Sequence, residues 1–154
     1  MQTQHPPLND EPQVIQGGLS VDDRGFVSYV NEFRFERVKR FYLVSNHKPF
    51  FVRAWHGHRR EWKVFVPVTG SLLVGAVKLD DWERPSKDLR VHRFVLSDAN
   101  PAALVIPPGF ANGFMNLTPD AKLMVFSSAT LEESRGDDFR FDAFYWDPWK
   151  ILER

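Results

Sequence analysis

Short runs of β-branched and aromatic residues, each closed by a turn signal, follow one another along most of this chain. They include "GFVSYVNEF" (25–33), "VKRFYLVSN" (38–46), "PFFVRAWHGH" (49–58), "EWKVFVPV" (61–68), "SLLVGAVKL" (71–79) and "LRVHRFVLS" (89–97). "AALVIPPGF" (102–110), "NGFMNL" (112–117) and "AKLMVFSSA" (121–129) continue the series. Several alternate with period two, as strands with two unlike faces must. Thr69-Gly70, Pro107-Pro108-Gly109 and Thr118-Pro119-Asp120 supply turns. No window of about 12 residues carries a helical stripe, apart from a short turn expected near 131–138. Many strands at short spacing with almost no helix predict an all-β sandwich or barrel of the jelly-roll class. The mouth of such a barrel is a natural ligand pocket.

Composition removes several function classes. Twenty Lys and Arg balance 20 Asp and Glu, which argues against a global footprint for nucleic acid or an anionic membrane. A local basic cluster at Arg53, Arg59, Arg60 and Lys63 suits a small anion such as a diphosphate. With no cysteine, disulfides, thiolate nucleophiles and Cys-type zinc sites are excluded. The polar start "MQTQHPPLNDEPQ" has no apolar core for a signal peptide, and no apolar run is long enough to span a bilayer. The expectation is a flexible arm over residues 1–13, one domain over 14–154, and a cytoplasmic setting.

The chemistry concentrates in "RAWHGHRREWKVF" (53–65). His56 and His58 share strand parity, so both point to one face, which in a barrel can be the interior. Two histidines facing a cavity serve metal ligation or proton transfer. Metal-binding cupins carry His-x-His, then a Glu, then a later Pro-x-Gly-x-x-His. Here His56, His58 and Glu61 resemble the first half, while Asn112 stands where the last histidine belongs. A neutral amide is a poor ligand for a transition metal.

The same segments resemble the dTDP-4-dehydrorhamnose 3,5-epimerase family over residues 21–151. "DDRGF", "RAWHGH", "KVFVPVTG", "LSDANPAALVIPPGFANGF" and "YWDPWKI" carry the resemblance. It implies a cupin, a double-stranded β-helix (jelly-roll) barrel, acting on a nucleotide-linked 4-keto-6-deoxyhexose. It implies His56 as the base, Lys63 beside the enolate oxygen and Asp147 as the carboxylate that orients the base. It further implies Arg24 and Arg53 on the diphosphate, and a homodimer in which the early Arg-Gly-Phe strand reaches a neighbour's site. No metal or redox cofactor is required.

"VKRFYLV" and "VRAWHGH" also resemble the dTDP-4-keto-6-deoxyglucose 3,4-ketoisomerases. That likeness adds Arg40, Tyr42 and His58, the last as a second acid/base or orienting group. Three positions depart from the epimerase pattern: Phe126 stands for its proton-returning tyrosine, Asn112 for its histidine, and Ala54 for a glycine. Asn112 is retained among the substrate-binding residues. The leading expectation is an epimerase-type nucleotide-sugar isomerase, with ketoisomerase as the alternative. A metal-dependent cupin and a non-catalytic sugar-nucleotide-binding cupin are the readings from other classes.

Overall fold

Alternation in the sequence becomes the two faces of two antiparallel sheets. The computed structural model describes residues 9–154, so residues 1–8 of the expected arm lie outside it. The strands are β1 (Gln13–Gln16), β2 (Gly18–Asp22), β3 (Gly25–Tyr29), β4 (Arg40–Ser45), β5 (Val52–His58) and β6 (Lys63–Thr69). They continue with β7 (Ser71–Lys78), β8 (Val91–Ser97), β9 (Ala102–Ile106), β10 (Phe110–Asn116), β11 (Lys122–Ser127) and β12 (Phe139–Arg140). The helix α1 (Leu131–Arg135) starts at a capping box, in which Thr130 and Glu133 satisfy each other's backbone N–H.

The first sheet runs β1-β9-β6-β11-β4, the second β12-β5-β10-β7-β8, and β2-β3 form a separate hairpin. Alternate residues of both sheets meet in one core: Phe65, Leu104 and Leu123 from the first, Leu72, Val74, Leu96, Phe110 and Phe114 from the second. This is the expected jelly-roll barrel of cupin type. Tight turns hold its corners. Gly70 takes φ 70° between β6 and β7, where a side chain is disfavoured.

The outer faces of the sheets differ. Behind the second sheet, Trp55, Leu73, Val77, Ala111 and Met115 are covered by Phe141, Trp146 and Trp149 of the C-terminal segment. There Gly75 leaves room for the Trp55 ring, which a Cβ would meet at 2.6 Å. Behind the first sheet, Val30, Phe33 and Val38 of residues 30–38 pack over Trp62, Val64 and Ala103. Farther along that face, Phe41 and Leu43 are 67% and 51% exposed.

Candidate active site

A cavity of about 400 Å³ is walled by both sheets and by α1. It brings together Arg40, Tyr42, Arg53, His56, His58, Lys63 and Asn112 from the sequence-derived set. Arg24 and Asp147 are not among its walls. Arg24 sits at the exposed tip of the β2-β3 hairpin, paired with Asp22 at 2.5 Å. Asp147 accepts from the Trp149 backbone N–H at 3.2 Å, shaping the turn that lays Trp149 on the barrel.

A bulge decides which face of β5 each residue joins. His56 pairs with Asn112 and Arg53 with Phe114, so three steps along β5 match two along β10. Ala54 and Trp55 both turn outward into the tryptophan cluster. Strict alternation would place Arg53 with Trp55, away from the histidines. The extra residue restores it to the inner face. The end of β5 is held by the Pro-Pro-Gly turn: Gly109, at φ 91°, donates its N–H to the His58 carbonyl at 2.8 Å.

The facing wall comes from the first sheet. Buried Lys63 opens β6 and donates to the Tyr42 hydroxyl at 3.1 Å. Arg40 holds the Ala129 carbonyl at 3.1 Å and lies 3.4 Å from Glu61. Across from them, on β5, Arg53 donates to Asn46 at 2.6 Å. The inward position on β11 belongs to Val125, which lines the cavity. Phe126 faces outward against Phe33 and Phe35. Phe126, matched to the epimerase tyrosine in the sequence, thus points away from the cavity, and the inward Val125 carries no hydroxyl either.

Each histidine has a carboxylate neighbour that the sequence reading did not assign to it. Asp138 lies 4.0 Å from His56 Nδ1 and is itself bound by Arg140 at 3.0 Å. Glu61 lies 3.3 Å from His58 Nδ1. Burial, reinforced by Lys63 and Arg140, pushes His56 down to about 4, against the opposing pull of Asp138. Burial and Lys63 likewise lower His58, against the opposing pull of Glu61. Both imidazoles are thus held neutral near pH 7, the form that accepts a proton. Burial alone would raise the Asp137 carboxyl, but N–H donors from Glu61, Arg59 and Arg60 hold it below the usual range. Asp137, Asp138 and Arg140 arrive because β12 pairs with β5, Arg140 opposite His56. A two-residue strand leaves no readable period.

Among the described residues no three His, Asp or Glu side chains gather so as to hold a metal ion. Glu61, the third member of the metal reading, instead accepts from Ser127 at 2.6 Å and from Ser134 at 2.8 Å.

No curated protein matches this chain. Solved structures share the fold. QdtA, a sugar 3,4-ketoisomerase from Thermoanaerobacterium thermosaccharolyticum in complex with TDP, aligns at TM-score 0.67 and 20% identity, over 90% of this chain and 93% of that one. The rmlC epimerase of Mycobacterium tuberculosis aligns at 0.71 and 19%, over 91% and 72%. A double mutant of ChmJ, a 3'-monoepimerase from Streptomyces bikiniensis in complex with dTDP, aligns at 0.75 and 17%, over 96% and 78%. The family described as FdtA, WxcM-like, C-terminal matches residues 11–142. That match runs from ahead of β1 through β12 and takes in every cavity wall, so the chain belongs to the FdtA family.

Proposed function

We propose that this protein is a nucleotide-sugar isomerase that moves the ketone of a nucleotide-linked 4-keto-6-deoxyhexose from C4 to C3. The observation that carries this reading is that both histidines project from one face of β5 into one cavity. A ketone shift needs proton work from one side only. One imidazole removes the C3 proton, giving an enediol(ate) across C3 and C4. A proton is then delivered to C4, and the O3 proton passes to O4, so that O3 becomes the carbonyl and O4 the hydroxyl. The facing cation, Lys63, stabilises negative charge on the oxygen as it develops. Arg40 and Arg53, with Arg140 at the rim, suit the diphosphate. Similarity in fold to QdtA supports the same substrate class. No metal or redox cofactor has a part in these steps.

A second reading, epimerisation beside the ketone, draws on Tyr42. Its hydroxyl stands on the wall opposite β5, where a proton could be returned from the other face. Incubation with dTDP-4-keto-6-deoxyglucose in heavy water, followed by NMR, separates the readings. A ketone at C3 with deuterium at C4 supports the isomerase; an inverted, labelled centre beside an unmoved ketone supports the epimerase. Absence of exchange with any 4-keto nucleotide sugar overturns both.

The reading includes a homodimer. The β2-β3 hairpin stands outside both sheets and exposes Val21, Phe26 and Val27 at 71%, 71% and 64%. A neighbour's cavity would receive its tip and Arg24. Sedimentation as a monomer, with full activity retained in Arg24→Ala, would remove this part.

A further inference from the structure

Glu61 accepts from Ser127, Ser134 and Arg40 beside the cavity, and the proton-transfer scheme leaves it without a task. It is 3% exposed. One oxygen accepts from Ser127 Oγ at 2.6 Å and lies 3.4 Å from Arg40. The other accepts from Ser134 Oγ of α1 at 2.8 Å and lies 3.3 Å from His58 Nδ1. Its backbone N–H is tied to Asp137 at 2.9 Å. The carboxylate is therefore held from β11, from α1 and from β4, and its backbone from the segment ahead of β12. Two serines and an arginine make a costly setting for a side chain that only fills space, since a buried carboxylate requires every one of those donors.

His58 explains the arrangement. Its Nδ1 stands 2.6 Å from the Asp137 carbonyl oxygen, which can only accept. Nδ1 therefore carries the hydrogen, and the bare nitrogen is Nε2. Nε2 is buried and has no hydrogen-bond partner among the described residues, on a side chain that lines the cavity. When Nε2 takes a proton the ring becomes an imidazolium, and the charge it meets at Nδ1 is that of Glu61. The other charged or titratable groups around this ring and its cavity are Lys63 on β6, Asp137, Asp138, His56 and Arg53 on β5, Arg40 and Tyr42 on β4, Arg135 on α1 and Arg140 on β12. Glu61 is the carboxylate whose side-chain oxygen comes within ion-pair distance of the ring.

We propose that Glu61 is a positioning residue: with the Asp137 carbonyl it locks His58 in the Nδ1-protonated tautomer, leaves the buried Nε2 as the proton acceptor, and sustains the imidazolium formed there. Its effect on turnover rests on the isomerase reading; its effect on His58 does not. The Asp138–Arg140 pair serves His56 more loosely, at 4.0 Å and nearer solvent. The deeper histidine is thus the one with a committed counter-charge.

The test is long-range 1H–15N NMR of the full chain with 15N-labelled histidine, titrated without substrate. The wild type is expected to show His58 protonated at Nδ1. Glu61→Gln removes a charge that favours the imidazolium, so the His58 pKa falls by about 1–3 units. Glu61→Asp keeps the charge and recovers most of that shift. In the exchange assay, Glu61→Gln lowers kcat about 10–100-fold with KM little changed. The acid limb of its pH profile moves to lower pH, because the neutral base survives further into acid. An Nε2-protonated His58 in the wild type, or an unaltered titration in Glu61→Gln, overturns the proposal. If Glu61→Gln does not fold, the wild-type tautomer and the Glu61→Asp titration decide it. A normal His58 response with no turnover on any 4-keto nucleotide sugar sinks the isomerase reading and leaves the pair standing.

Discussion

The two sheets share one core but are finished differently on their outer faces. The second sheet, which carries both histidines, is packed on both sides. Its interior face meets the barrel core and its outer face meets Trp146 and Trp149. The first sheet, which carries Arg40, Tyr42 and Lys63, is packed inside but leaves Phe41 and Leu43 open outside. Under the proposed mechanism His56 and His58 are the acid–base groups; such groups must be held to fractions of an ångström, and a twice-packed sheet suits that need.

The sharpest way to break that contrast is chemical. His58→Asn and His56→Asn should each reduce proton exchange by a factor of about 10²–10⁴ while leaving the fold intact. If both variants retain full exchange, the second sheet is not the catalytic wall. Next comes its backing. Trp55 is fully buried, so Trp55→Ala should lower unfolding free energy by about 3–5 kcal/mol, read by denaturant titration. Gly75→Ala should cost less, about 1–3 kcal/mol, because a methyl group there drives into the Trp55 ring. A stability loss below about 0.5 kcal/mol in both variants would mean that the tryptophan layer does not brace the sheet.

A smaller effect is expected from pH. His56 has a folded pKa of about 4, below the 6.5 of an ordinary histidine. Between those values the unfolded chain binds more protons than the folded one, so stability falls as pH drops from about 6.5 toward 4. His58, also lowered, adds in the same direction. His56→Gln should flatten the slope in that window; an unchanged slope would show that His56 titrates normally. The smallest effect belongs to the open face. Phe41→Ser should change stability by no more than about 0.5 kcal/mol. A loss of several kcal/mol would show that this face is covered after all, by a second copy.

Much of the barrel was readable beforehand. β4 is a case in point: the alternation of Arg40 and Tyr42 against Phe41 and Leu43 is the half-buried, half-exposed pattern that the strand adopts. Likewise His56 and His58 share a face because they sit two residues apart. The expected strand at 25–33 ends at Tyr29, and β1, β2 and β12 are too short or too weakly patterned to stand out. The carboxylates were the least legible part of the site. Asp147, chosen from a motif, caps a turn, while Asp138 and Glu61 stand beside the imidazoles.

The sequence alone therefore determined what depends on near neighbours: strand period, turn positions, the parity of the histidine pair, and the absence of thiol chemistry. Tertiary structure decided what depends on register between distant segments. A single extra residue in β5 turns Arg53 inward, and the pairing of β12 with β5 brings Asp138 to His56 across 82 positions of chain. Inter-strand register is set by packing and hydrogen bonds summed over the whole barrel, and no local window of sequence contains that sum.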